Sequence, residues 1–478
     1  MTTIFLVLGV IITGFSLVGG WLWLCIRRPD LGLVVVVGLA CFSAHVLSLL
    51  FQAGLPAGVV RQLIPLKDVA AVTLAGVLVL RAVRMRRFPV PLLTACGIFA
   101  LLAVWGLFVG HHAPSDVALS LRNAAVPFVA TVLGLLLDDN ERRRAVRGLI
   151  AVVTVGALYA LVELLFPVAY LRYGVGVGDY WLFVKEQAYH LAPNSQGLPG
   201  NFFTASGERR LTGAFGDPLA AGYALAAGVI AAFFASGSWI RKAALPVMAL
   251  ALLLTFTRAG WIIALSALVP AVLTALLRLT WRVRLLVTGI SVMLGGTLVA
   301  VTPHLRTYLE GIVSGRDDST RGHLRALADT GQYDYSTLGD GWGAAGGAVG
   351  RGTESVFVTV ALQVGLVGMV LYVASLALLA WGVRRRWQPA PLSLSYFGML
   401  AGLLVSMAVS EQVLTFNAGL MVVLPLALGA TGPLRSGLAR GSGPTALTRL
   451  RRSEPAPDVP LYPPPHKVSE RRRGPTGR

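Results

Sequence analysis

The chain has 478 residues, of which 55% are hydrophobic and only 13% charged, and its mean hydropathy is +0.71. Soluble domains carry about 25% charged residues, so this composition excludes a soluble globular class and indicates a membrane protein. The net charge of +19 does not indicate a nucleic-acid partner, because the basic residues lie between apolar runs. The three cysteines, Cys25, Cys41 and Cys96, lie in or beside apolar runs, as small core residues do.

Apolar segments long enough to cross a ~30 Å hydrocarbon core recur along nearly the whole chain. They predict an all-α polytopic membrane protein with roughly 12–13 transmembrane helices. The first run is retained as a helix because it lacks a basic leader and a small-residue cleavage site. The predicted spans are 4–25, 31–51, 66–82, 89–109, 124–138, 148–166, 214–235, 243–256, 259–277, 284–302, 354–382, 391–409 and 417–430.

Alternate loops collect lysine and arginine, as in "RAVRMRR", "DDNERRRAVR" and "GVRRRWQ". The positive-inside rule assigns these loops to the cytoplasm and the N-terminus to the outside. The loops at 52–65, 110–123, 167–213, 303–353 and 410–416, with the turn at 255–260, are then external. Of these, 167–213 and 303–353 are long enough to fold.

The chain divides into a transmembrane domain, residues 1–431, and a C-terminal tail, residues 432–478. The tail is basic and rich in proline, a composition that cannot bury a core, and we expect it to be disordered in the cytoplasm. Anionic lipid headgroups are its expected contact.

Several arginines fall on the external side, against the charge rule. Residues 314–330, "SGRDDSTRGHLRALADT", contain Arg316, Arg321 and Arg325, and the last two share one face of a predicted short helix. Arg316 is interpreted as a solvated residue with local acidic partners. The other two are candidates for binding an anion.

Three further external arginines lie beside predicted helix ends: Arg210 in "GERRLTGAFGDP", Arg258 in "LLLTFTRAGW" and Arg122 in "LRNAAVP". Arginine holds phosphate oxygens with a planar fork and keeps its charge. Several arginines converging at the interface would suit an anionic group at headgroup depth, such as a lipid diphosphate. The alternative for each is an anchor whose charged end reaches the interface.

The segment "GDGWGAAGGAVGRGTES" precedes another apolar run. Its "GWGAAG" has the letters of a dinucleotide fingerprint, but no buried strand precedes it and it faces outward, so we reject that interpretation. The glycines from 339 to 352 indicate either a closely packed backbone or a flexible gate. Glu354 is either a favourable charge at a helix start or a general base with Ser355 beside it.

The order of "RLTGAFGDP", "TFTRAGW", "STRGHLRAL" and "TES" with its following glycines resembles the bacterial O-antigen ligase and polymerase superfamily, over about Arg210 to Tyr372. The resemblance implies a GT-C-type membrane glycosyltransferase that needs no metal or cofactor. Its donor would be a glycan on undecaprenyl diphosphate, and its acceptor a glycan or glycolipid hydroxyl. The reaction would take place on the outer face of the bacterial cytoplasmic membrane, in cell-surface polysaccharide assembly.

The resemblance also implies roles for individual residues. Arg210, Arg258 and Arg321 would hold the diphosphate, and Arg258 and Arg321 would act in catalysis with Glu354. The charge pattern described above adds Arg122 and Arg325 as further ligands of the diphosphate. Ligases of the lipopolysaccharide type usually have a histidine where this chain has Glu354, which favours a polymerase or a related transferase.

Other interpretations remain open: a transporter or flippase for lipid-linked glycan, a noncatalytic scaffold, or a polymerase of the shape-and-division family. The sequence shows neither the internal repeat nor the mid-membrane carboxylate that would support a transporter. The shape-and-division family needs an external acid, for which Asp329, Asp334 or Asp340 are weak candidates. The adjacent Asp317 and Asp318 point apart and do not suggest a metal site, and His323 is assigned to the surface.

Overall fold

The computed structural model describes residues 16–186, 198–204, 207–235, 239–277, 280–283, 285–286, 289, 293, 310, 328–346, 352–388 and 390–430. This part of the chain is helical, apart from turns and one isolated antiparallel bridge between Phe203 and Arg209. Eight of its helical segments are long and apolar enough to cross a membrane, and four shorter helices are also apolar. These features describe a polytopic membrane protein.

The helices follow in chain order. They are α1 (Ser16–Arg27), α2 (Pro29–Gln52), α3 (Ala57–Leu63), α4 (Leu66–Arg84), α5 (Val90–Val109), α6 (Pro114–Leu135), α7 (Asp139–Glu163), α8 (Pro218–Phe234), α9 (Trp239–Leu254), α10 (Arg258–Leu277), α11 (Val356–Arg384), α12 (Ala390–Val409) and α13 (Phe416–Leu428). Of the predicted spans, 284–302 falls almost entirely outside the described residues.

Two helices begin well before their predicted starts. Helix α6 begins at Pro114, not near residue 124, and α7 begins at Asp139, not near 148. Proline in the first turn starts α6, while Asp138 and Glu141 form a capping box at α7. Hydropathy detects only the part of a helix inside hydrocarbon, so it misses these polar first turns. Arg122 therefore lies within α6, not at its start.

The centre of the bundle consists of α8 and α13, whose side chains are buried along nearly their whole length. Helix α8 is rich in small residues, which let neighbouring backbones approach closely in a membrane. At Gly222 of α8 a side chain would collide with Thr257, and at Gly260 of α10 a side chain would collide with the backbone of Gly222. This close approach brings the beginnings of α8 and α10 together.

Charged pairs gather where α2 and α7 begin and α4 ends, and we call this the basic end. The buried Asp30 accepts hydrogen bonds from Arg28 at 3.3 Å and from Arg144 at 2.6 Å. Arg81 at the end of α4 pairs with Glu141 of α7 at 2.7 Å. Helices α4, α6, α8, α10, α11 and α13 begin at the opposite end, which we call the loop end.

Helix α11 is not continuous, contrary to the prediction of one uninterrupted span over 354–382. Gly365 has φ +77° and ψ 173°, which interrupts the helical hydrogen bonds. A loop at 336–346 uses the carbonyls freed there: Asp340 N donates to Leu362 O at 2.9 Å, and Gly341 N donates to Gln363 O at 2.8 Å. A break in a buried helix is tolerated when such bonds satisfy its backbone.

The same loop explains the density of glycine that the sequence analysis noted. A side chain at Gly339 would collide with Gln363 and Gly365, and one at Gly341 would collide with Gly110. Trp342 is fully buried on Gly106, and its indole donates to Ala103 O at 3.1 Å. The predicted close packing of the backbone is confirmed for residues 339–346, and 347–351 lie outside the described residues.

Candidate functional site

The segment 168–186 folds over the loop end of α2 through two π-helical turns, Tyr170–Gly174 and Tyr180–Val184. Ser48 of α2 donates to Val175 O at 2.7 Å. Arg61 of α3 donates to Val184 O at 3.1 Å and pairs with Glu186 at 2.8 Å. These bonds fix the position of Lys185, which lies between the two residues that Arg61 contacts.

Lys185 belongs to a group of three basic residues with Lys67 and Arg122, which we call the cation cluster. Lys67 lies in the first turn of α4, and Arg122 in the third turn of α6. All three side chains are half-buried. Lys67 lies within electrostatic range of both Lys185 and Arg122, so three positive charges that would ordinarily repel one another share one region.

Two carboxylates accompany the cation cluster. Arg122 donates from Nη1 to Asp68 Oδ2 at 3.3 Å, and Asp217 lies within electrostatic range of Lys185. Asp217 also caps α8 by accepting from Leu219 N and Ala220 N, both at 3.3 Å. One of the two carboxylates is therefore committed to a helix N-terminus, and the cluster keeps an excess of positive charge.

Aromatic rings and burial govern the electrostatics of Lys185. Its Nζ lies 4.0 Å from the centre of the Trp181 ring, a favourable cation–π distance. Burial lowers the pKa of the Lys185 ammonium below its ordinary value, Asp217 opposes this shift and Arg122 adds to it. An anion bound in the cluster would stabilise the charged form of Lys185, and so offset both the free-energy cost of its burial and its repulsion by Arg122.

Arg210 is held by the turn between α9 and α10. It donates to Thr255 O at 2.9 Å, to Thr257 Oγ1 at 3.0 Å and to Phe256 O at 3.3 Å. A fourth bond, 3.2 Å long, goes to Asn201 O. Most of its donors thus organise the turn that leads into Arg258, and the structure brings these two predicted site residues to one place.

Arg258 is the first residue of α10 and is half-buried. The preceding Thr257 donates from Oγ1 to Pro218 O at 3.0 Å, which joins the beginning of α10 to the beginning of α8. Phe256 has φ +51°, an uncommon conformation for a residue with a side chain. The hydrogen bonds from Arg210 therefore hold a strained turn directly before Arg258.

Glu354 lies two residues before α11, and its side chain is exposed. Its φ of +57° is in the left-handed region. For a residue with a side chain such a conformation costs about 1–3 kcal/mol and is concentrated at functional sites. The position is thus a helix entrance, as predicted, but Glu354 precedes the helix instead of opening it.

A second carboxylate, Glu411, lies close to the Glu354 segment. Its Oε2 accepts from Thr359 Oγ1 at 3.2 Å and from Thr353 N at 3.5 Å. Thr353 and Thr359 also share a hydrogen bond of 2.6 Å. The sequence alone does not predict these contacts of Glu411, because its partners lie more than 50 positions earlier in the chain and leave no local signal.

The buried Tyr223 of α8 connects these two parts of the loop end. Tyr223 is buried and lies within electrostatic range of Ser410, the neighbour of Glu411, and of Asp217 and Arg210. The cation cluster, the Arg210 turn and the Glu411 segment therefore border one another through Tyr223. We call this combined region the loop-end site.

Four of the predicted site residues, Arg122, Arg210, Arg258 and Glu354, have positions at the loop end, whereas Arg321 and Arg325 lie outside the described residues, as do Arg316, Asp317, Asp318 and His323. Lys67 and Lys185 were missed. Lys67 lies at the external end of the predicted span 66–82, and Lys185 lies in the predicted external loop 167–213. The charge argument applied to the arginines would have found both.

Among the residues that the structure describes, no three His, Cys, Asp or Glu side chains come together as a metal-binding group. Comparison with known proteins assigns no function to the loop-end site. No protein-family model matches the chain, and no curated protein matches it in sequence.

Proposed function

We propose that the chain is a membrane glycosyltransferase of the O-antigen ligase and polymerase type. It moves a glycan from undecaprenyl diphosphate to an acceptor hydroxyl in the assembly of cell-surface polysaccharide. In this proposal the bundle crosses the bacterial cytoplasmic membrane 12 or 13 times with a GT-C-like arrangement. The basic end faces the cytoplasm together with the C-terminal tail, and the loop end faces outward.

The observation that carries the proposal is the cation cluster. Lys67, Arg122 and Lys185 come from separate parts of the chain and share a half-buried region despite their repulsion. Such a group suits a ligand with several negative charges. A diphosphate at headgroup depth supplies them, and its hydrocarbon chain would stay in the membrane. The four sequence motifs, in their order, support the same class of donor.

The reaction assigned to the loop-end site is a displacement at the sugar's anomeric carbon. The acceptor oxygen forms a bond to this carbon, the carbon–oxygen bond to the diphosphate breaks, and undecaprenyl diphosphate leaves with the bonding electrons. Positive groups stabilise the charge that grows on the leaving oxygen, at about 3 kcal/mol for each well-placed donor. Lys67, Arg122, Lys185 and Arg258 are assigned this role, with Arg321 and Arg325 as further candidates.

The acceptor hydroxyl loses its proton as the new bond forms. Glu354 is assigned as the base because it is exposed, strained and close in the chain to the contacts of Glu411. Glu411 is the second candidate, because Thr359 and the backbone of Thr353 fix its carboxylate. Arg210 is assigned mainly a positioning role, since its bonds hold the turn before Arg258.

The experiment that tests this function uses the purified full chain in liposomes containing an undecaprenyl-diphosphate-linked oligosaccharide and an acceptor glycan. Formation of a longer glycan, together with release of undecaprenyl diphosphate, supports the proposal. Movement of the intact donor across the bilayer without either product would instead indicate a transporter. Glu354→Gln and Glu411→Gln, measured separately, distinguish the two candidate bases.

A further inference from the structure

An apolar cavity of about 340 Å³ lies between α6, α11, α12 and α13. Helix α11 lines it at Phe357 and from Val373 to Arg384, and α12 lines it from Tyr396 to Met407. The cavity therefore runs from Arg384 at the basic end to Val413 and Leu414, beside the Glu411 segment of the loop-end site. From Val373 to Arg384 the helix rises by about 16 Å at ~1.5 Å per residue. This part alone is long enough for an acyl chain of one leaflet, which is about half of a ~30 Å hydrocarbon core.

The cavity is open toward the outside of the bundle. Trp381 at its border is 63% exposed, and Phe397 and Leu404 are each 47% exposed. In a helical membrane protein such surfaces meet lipid chains, not water. The cavity is therefore accessible to hydrocarbon from the surrounding leaflet.

Among the described residues that line the cavity, the charged one is Arg384, which lies at the basic end. Its guanidinium carbon is 5.4 Å from the centre of the Trp381 ring and 5.6 Å from that of Phe397. The ion pairs among the described residues do not include Arg384. Aromatic rings, not a carboxylate, hold its positive charge beside the cavity.

The neighbouring Arg386 shows what an arginine with a purely structural role does at this end. It donates to Leu135 O at 2.5 Å and to Leu137 O at 3.2 Å, and so satisfies the carbonyls at the end of α6. Arg384 is exposed, directed to the cavity border and free of such carbonyl contacts in the described part of the chain. Its donors are available to a phosphate.

We propose that this cavity and Arg384 bind one anionic phospholipid from the leaflet at the basic end. An acyl chain occupies the cavity, and the phosphate lies on the Arg384 guanidinium. The charged residue of the lining lies at the basic end, which favours this lipid over the polyprenyl donor, whose diphosphate belongs to the opposite end. This inference does not depend on the proposed transferase activity.

Native mass spectrometry of the delipidated full chain, titrated separately with phosphatidylglycerol and phosphatidylcholine, tests the proposal. We expect the wild type to bind phosphatidylglycerol about fivefold more tightly, the factor given by ~1 kcal/mol per basic residue at an anionic surface. Arg384→Gln should remove this preference. Arg385→Gln, at an exposed position that does not line the cavity, is the matched control and should retain it.

Ala377 lines the cavity and is exposed, so Ala377→Phe fills the space without disturbing the buried core. We expect it to weaken binding of both lipids at least threefold. Equal binding of the two lipids by the wild type, or equal losses in Arg384→Gln and Arg385→Gln, would overturn the proposal. If undecaprenyl phosphate displaced phosphatidylglycerol from the wild type and from Arg384→Gln alike, the cavity would instead be assigned to the hydrocarbon chain of the glycan donor. No effect of Ala377→Phe would overturn the proposal too.

Discussion

Arg122 of α6 donates from Nη1 to Asp68 Oδ2 of α4 at 3.3 Å. The bond joins two helices, and its two residues are 54 positions apart in the chain. Lys67 directly precedes Asp68 and lies within electrostatic range of Arg122, so the bond holds the first turn of α4 beside Arg122. Asp68 thereby stabilises the cation cluster but neutralises only part of its positive charge. An anion-binding site requires such a remaining positive charge.

Removing one charge of the cation cluster should reduce transfer strongly. We expect Lys67→Met and Lys185→Met each to lower kcat/KM for the lipid-linked donor by about 100-fold, since one donor to the developing charge contributes about 3 kcal/mol. The measurement is the rate of transfer by purified protein in liposomes.

Arg172→Ala is the matched control for these variants. Arg172 lies in the same folded segment, but its guanidinium is 4.9 Å from the Tyr173 ring centre and it is outside the cation cluster. It should retain nearly the activity of the wild type. If Arg172→Ala reduced transfer as much as Lys185→Met, the cluster would have no special role.

The lowered pKa of Lys185 predicts a dependence of donor binding on pH. Burial disfavours its charged form, so the ammonium loses its proton at a lower pH than an exposed lysine does. Binding of undecaprenyl diphosphate should therefore weaken as pH rises through the lowered pKa. In Lys185→Arg the charge persists, and this loss of affinity should move to higher pH. Identical pH profiles for the two proteins would count against a role for Lys185.

Arg210 and Arg258 should respond differently to substitution. Arg210→Ala leaves the carbonyls of Thr255 and Phe256 without their donor, and we expect the free energy of unfolding to fall by about 3 kcal/mol along with activity. Arg258→Ala should abolish transfer with a much smaller change in thermal stability. Melting curves and transfer rates for both variants test this difference, and a larger loss of stability in Arg258→Ala would reverse the assigned roles.

The break in α11 should be essential to the fold. At Gly365, with φ +77°, an added Cβ would collide with the carbonyl of Thr337. Gly365→Ala should therefore destabilise the protein by more than about 3 kcal/mol. Gly97→Ala in α5 is the control, because nothing lies within 4 Å of its Cβ position and alanine favours a helix. Equal melting temperatures for the two variants would contradict the packing described for this loop.

Hydropathy predicted the helical class and most of the described helices, because a hydrocarbon core requires long apolar segments. It could not predict the polar first turns of α6 and α7 or the break at Gly365. The polar first turns depend on capping by Pro114, Asp138 and Glu141. The break depends on the loop at 336–346, which is distant in sequence and donates hydrogen bonds to the carbonyls that the break leaves free.

The sequence located the Arg210 turn and the Glu354 segment, but it did not distinguish their roles. The bonds of Arg210 to Thr255 and Thr257, on which its proposed positioning role rests, are visible only in three dimensions. Lys67 and Lys185 lack the planar fork on which the prediction of phosphate binding relied, although lysine also binds phosphate as a point charge.

The most direct test of the central claim follows the undecaprenyl-linked glycan pool of cells that carry the wild type, Lys67→Met, Arg258→Ala or a deletion of the gene. Mass analysis of membrane lipids measures both the amount and the length of the linked glycan. We expect donor to accumulate in all three altered strains. Single repeats without long chains would identify a polymerase, and long chains retained on lipid would identify a ligase. An unchanged pool in the deletion strain would contradict the assignment as a lipid-linked glycan transferase.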